Sequence, residues 1–60
     1  MIKMLRLYFP FDNVYDVANI LDSQFIENDI DDADRLIIDE DNLDDVNIIL
    51  EENDIDFDII

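Results

Sequence analysis

Residues 6–31 recur, without a gap, as residues 35–60. The first copy reads RLYFPFDNVYDVANILDSQFIENDID and the second RLIIDEDNLDDVNIILEENDIDFDII. At an offset of 29, 11 of the 26 positions are identical, among them Arg6/Arg35, Leu7/Leu36, Asp16/Asp45, Val17/Val46, Leu21/Leu50 and Ile30/Ile59. A self-match on this scale dictates architecture, because one supersecondary unit must serve twice. The 60 residues make a single domain, 1–60, whose core is thin, since a chain this short buries only about 60% of its unfolded surface.

Each copy reads as strand, helix, strand. Residues 2–9 are apolar and aromatic and stop at Pro10, which predicts a strand beginning at Ile2. Asp12 and Asn13 are both good N-caps. Val14, Val17, Ala18 and Leu21 then keep helical spacing, and the helix should end near Asp22 or Ser23. Residues 25–30 could extend that helix, but their counterpart in the second copy alternates Ile55, Phe57 and Ile59 as a strand does. Ile26, Asn28 and Ile30 should therefore share one face of a second strand. Residues 31–34 form a turn and residues 35–39 a third strand. Asp41 or Asn42 caps a second helix with Leu43, Val46, Ile49 and Leu50 on its apolar side, and residues 55–60 close the chain as a fourth strand. With no glycine present, Asp and Asn must supply the left-handed turn positions.

The order β-α-β-β-α-β is the ferredoxin-like arrangement. It predicts an α+β fold with a four-stranded antiparallel sheet in the order 4-1-3-2 and two helices on one face. The alternative is β-α-β-α-β, a small parallel sheet whose first helix runs through Glu27. On strand alternation, Leu5, Leu7, Phe9, Leu36 and Ile38 should face the helices. Met4, Arg6, Tyr8, Arg35 and Ile37 should face away, joined by Phe25, Glu27, Asp29, Asp31, Asp54, Asp56, Asp58 and Ile60. Arg6 and Arg35 are expected to neutralise carboxylates across strands.

Charge is the second constraint. Fourteen Asp and four Glu meet two Arg and one Lys, for a net charge of −15. Phosphate-rich surfaces, whether membrane or nucleic acid, would be repelled. The open sheet face invites comparison with RNA-recognition domains, yet Ile37 cannot stack a base as Tyr8 could, and the basic footprint is missing. Partners should be basic: a DNA- or RNA-binding protein, a basic peptide, or cations. No cysteine or histidine is present, Ser23 is the only serine, and so small a chain has little room for a ligand pocket. An enzyme is not expected, and no cofactor or metal is implied. Residues 29–40 superficially match a calcium loop with Glu40 at its twelfth position, but Asp34 replaces the required glycine and Ala33 occupies position five. The apolar, weakly basic start lacks a cleavage site, so a cytoplasmic location is expected.

The carboxylates are then the functional feature. Asp29, Asp31, Asp32, Asp34, Asp39, Glu40, Asp41, Asp44 and Asp45 are the expected partner-binding residues, in turns and on helix faces. Size and charge together resemble phage-encoded DNA mimics such as anti-restriction and anti-CRISPR proteins. That resemblance is compositional; it implies an inhibitor acting in the host cytoplasm on a basic groove. A rival reading is an acidic interaction module, antitoxin-like or homodimeric. It would use Met4, Tyr8, Phe25, Ile37 and Ile60 as an apolar contact surface.

Overall fold

Two βαβ halves share one sheet and one core. The computed structural model describes residues 3–60. The chain runs β1 (Met4–Tyr8), α1 (Val14–Ser23), β2 (Asn28–Ile30), β3 (Leu36–Asp39), a 3-10 turn (Glu40–Asn42), α2 (Leu43–Glu52) and β4 (Asp58–Ile59). All strand pairings are antiparallel. The order β2-β3-β1-β4, read from the other edge, is 4-1-3-2. This is an α+β fold, and the parallel alternative does not occur. The predicted strand start at Ile2 lies outside the described residues.

The register carries the repeat into three dimensions. Leu7 sits opposite Leu36, its own counterpart, and Leu5 sits opposite Ile38. Ile30 pairs with Leu36 on one side as Ile59 pairs with Leu7 on the other. The amide of Asp31 donates to the Arg35 carbonyl at 3.0 Å, and the amide of Ile60 donates to the Arg6 carbonyl at 2.9 Å. Exchanging the halves leaves these pairings unchanged, as a pseudo-twofold between β1 and β3 requires.

The core follows the predicted face. Leu7, Phe9, Leu36 and Ile38 are buried against Val14, Val17 and Leu21 of α1 and Val46 and Leu50 of α2. Leu5, Ala18, Ile26, Leu43, Ile49 and Ile55 pack around them. Phe57 tilts against Phe9 with ring centroids 6.1 Å apart. Burying a leucine or valine fully is worth roughly 1.5–3 kcal/mol, so these few side chains supply most of the favourable term.

Both helices stop in the same way. After α1, the amide of Ile26 donates to the Leu21 carbonyl at 3.0 Å and that of Phe25 to Asp22 at 3.1 Å. After α2, Ile55 donates to Leu50 at 2.9 Å and Asp54 to Glu51 at 3.1 Å. This paired pattern is the Schellman motif, which needs a left-handed residue next to last. Phe25 and Asp54 fill that place, with φ of 60° and 57°. The turn also explains why α1 does not continue to Glu27.

Four expectations need correction. Asn13 and Asn42 precede the helices but make no side-chain cap bond. Asp12 instead takes a left-handed turn conformation (φ 56°), and Asp41 lies inside the 3-10 turn. The working cap is Asp39, whose Oδ1 accepts from the Asp41 amide at 2.9 Å. The outer strands are shorter than predicted, because the Schellman turns use residues 24–26 and 53–55. Phe25 belongs to a turn, so strand alternation does not assign it to the open face. Arg35 stacks 4.6 Å from the Tyr8 ring centre, whereas Arg6 meets Asp31 at 3.4 Å, so among the described residues Arg6 alone of the two forms the expected ion pair.

Candidate functional site

Every carboxylate lies outside the core. Among the described residues no charged side chain is buried, and 16 of the 18 acids are exposed. The two half-buried ones, Asp31 and Asp39, have structural tasks. Asp31 Oδ1 accepts the amides of Ala33 and Arg35, each at 2.9 Å, while Oδ2 faces Arg6. The backbone bond from Arg35 is the chief reason the Asp31 carboxyl is held below its ordinary range, aided by Ala33 and by the Arg6 and Arg35 charges.

A pH dependence follows. A carboxyl whose folded pKa is depressed lends stability above its unfolded value, and loses it as pH falls through the folded value. Asp31→Ala should therefore melt lower than the parent by a constant interval from neutral pH down to about pH 5. That interval should shrink below about pH 4. Melting curves of both chains across this range measure it; an interval independent of pH would refute the role.

Eight of the nine expected binding carboxylates divide between the two ends of β3. Asp31, Asp32 and Asp34 form the turn before the strand. Asp34 Oδ1 accepts from the Tyr15 hydroxyl at 3.2 Å. That carboxylate, with a smaller contribution from Asp12, pushes the Tyr15 hydroxyl above its usual range. Asp39 ends the strand and Glu40 and Asp41 follow it, with Asp44 and Asp45 in the first turn of α2, where the helix dipole favours negative charge. Four residue steps of extended chain separate Arg35 from Asp39, or about 13 Å at a strand rise of about 3.3 Å per residue. Asp29 stands apart from both groups, on β2 opposite Ile37.

Few of these charges are neutralised internally. Among the described residues, Lys3 meets Glu40 at 3.4 Å and Arg6 meets Asp31; the remaining acids have no such partner. Nor, among the described residues, do three carboxylates converge as a metal site would need. In the acidic turn the reason is local, since Asp31 is committed to backbone amides. Repulsion among the free carboxylates opposes compaction. Raising NaCl from about 10 to about 200 mM should increase the melting temperature through screening; a flat or falling response would contradict this.

The open sheet face is not featureless. A groove of about 530 Å³ runs beside β2, lined by Met4, Asp22, Glu27, Asn28, Asp29, Ile37 and Asp39. Its volume falls within the usual range for ligand sites, contrary to the expectation from chain length. The lining combines two apolar side chains with four carboxylates, which suits the alkyl stem and charged head of a lysine or arginine. Of the apolar contact residues expected here, Met4, Tyr8 and Ile60 are exposed and Ile37 is half-buried. Sequence reasoning overlooked Phe11 and Tyr15, which are also exposed. The available signal was the repeat, which sets carboxylates at their counterparts, Glu40 and Asp44.

No helix among the described residues is long and apolar enough to cross a membrane. Comparison of the chain with protein-family models, with curated proteins and with solved structures finds no match.

Proposed function

We propose that this chain is a non-enzymatic acidic inhibitor that presents carboxylates where nucleic acid presents phosphates, and so occupies a basic groove of a DNA- or RNA-handling protein. One observation carries the reading. Eighteen carboxylates, none in the core among the described residues, cover a body 31 Å long. Duplex DNA spaces its charges about 1.7 Å apart along the axis, and so offers about 18 over that length. The match is one of charge number on a comparable length. Contacts would be Arg or Lys to carboxylate, steered at long range and weakened by salt. Size and charge also support a phage counter-defence role in the host cytoplasm.

The proposal extends to the fold class. The ferredoxin-like assignment is supported by the βαββαβ order, the antiparallel 4-1-3-2 sheet and the packing of both helices on one face.

The exposed side chains of Met4, Tyr8 and Ile60 favour a second reading, an apolar docking or homodimer face. Affinity capture from the native host at low salt separates the two. The mimic reading requires that the retained protein bind nucleic acid and be released by moderate salt. Retention that survives high salt and is lost on Tyr8→Ala or Ile37→Asp would support the docking face instead.

A further inference from the structure

The two halves act as controls for each other. They share strand register and the helix-ending turn, so a side chain needed by the backbone at one place should suit its counterpart. Phe11, Tyr15 and Phe25 break that rule. Their counterparts are Glu40, Asp44 and Asp54, and all three aromatic rings are exposed, at 73%, 63% and 96%. The fold therefore tolerates carboxylates where the first half has rings, and little in the core depends on those rings.

Phe25 is the extreme case. It occupies a left-handed position with φ of 60°, which is a genuine outlier for a bulky residue. Asp54, in the equivalent turn after α2, is of a type found there far more often. The Phe25 ring is almost wholly in solvent, so no packing within the chain offsets its unfavourable backbone. Carboxylates flank it in sequence, Asp22 and Glu27, and Asp22 supplies the carbonyl that closes its turn.

A flat π-face beside an anion is the chemistry of an unstacked nucleotide. In a duplex the bases face inward, and a groove that grips the outside meets mainly phosphates. Proteins that hold single strands instead combine a cationic track with aromatic platforms on which bases stack. Resting on the mimic reading above, we propose that Phe25 is the aromatic anchor of this protein, and that its target groove is one built for single-stranded nucleic acid. Asp22 and Glu27 then meet the cations beside the platform that receives the ring.

The test uses two purified probes. One is an OB-fold single-strand-binding protein holding fluorescent oligo(dT); the other is a helix-turn-helix repressor holding its fluorescent duplex operator. Anisotropy follows displacement by the whole chain. The parent should displace oligo(dT) at concentrations at least about tenfold below those needed for the duplex. Phe25→Asn should weaken that displacement about tenfold, the loss expected for one stacked ring, and Asp54→Asn by less than about threefold. Phe25→Asn should also melt about 4 °C higher, because asparagine suits the left-handed turn, so lost displacement cannot be laid to misfolding. Unchanged displacement by Phe25→Asn would overturn the anchor and leave mimicry standing. Preferential displacement of the duplex would overturn the single-strand assignment alone. Failure against both probes would overturn the single-strand assignment, while the mimic reading stands or falls separately on the low-salt capture.

Discussion

A Leu36→Ala chain is expected to be largely unfolded at room temperature. Leu36 is fully buried, lies opposite its repeat counterpart Leu7, and pairs with Ile30 on the other side. Large-to-small changes at such sites cost about 2.7–5 kcal/mol, the loss growing with the cavity left behind. A domain of 60 residues has roughly 3–9 kcal/mol in all. Repulsion among the carboxylates should place this chain toward the lower end of that range. The central strands have no spare apolar layer to collapse into the gap. Leu7→Ala should be equally damaging, since the pseudo-twofold gives the two leucines equivalent surroundings. Urea unfolding followed by circular dichroism measures both; a loss under about 1 kcal/mol at either site would mean that the core is not where the burial pattern puts it.

Neutralising the surface should act in the opposite direction on stability and weaken binding sharply. The variant with Asp32, Asp34, Asp41, Asp44 and Asp45 all changed to Asn removes five charges, taking the net from −15 to −10. Asp31 and Asp39 are left intact because their oxygens accept backbone amides. Exposed ion pairs are worth about 0.2–1 kcal/mol each, so five contacts together imply a loss of about a hundredfold in affinity for the captured target. The circular dichroism spectrum should not change, and the melting temperature should rise because repulsion falls. Affinity within about threefold of the parent would remove the basis of the mimic reading. A lower melting temperature would show that these carboxylates hold the fold instead of straining it.

Much of the backbone was legible because the chain states it twice. The ambiguous residues 25–30 were resolved by the alternation at Ile55, Phe57 and Ile59, and β2 indeed lies at Asn28–Ile30. Helical spacing marked Val14–Ser23 and the buried positions Val17, Leu21, Val46 and Leu50. Local hydrogen bonding was harder to read. Asp12, Asn13, Asp41 and Asn42 are all suitable caps by type, but capping depends on backbone angles that type does not fix. Asn42, the last residue of the 3-10 turn, is already helical in φ and ψ, whereas Asp39 is extended and can reach the Asp41 amide. Phe25 was misplaced for a similar reason. Its left-handed turn normally advertises itself with glycine, and this chain has none. For the site, the sequence indicated which carboxylates exist, and burial now separates structural Asp31 and Asp39 from the others. The groove at Met4 and Ile37 depended on how β2 and β3 meet, which no local pattern encodes.

The matched registers of the halves have an electrical consequence. Residues 35–60 hold ten acids and residues 6–31 hold six, each with one arginine. A backbone that is nearly its own image under rotation therefore bears two different patterns of carboxylates, although Asp34 beside Tyr15 and Lys3 beside Glu40 bring the totals of the two sides close together. To a cationic surface the placement of charge, not its total, then distinguishes two orientations that the frame alone would make equivalent.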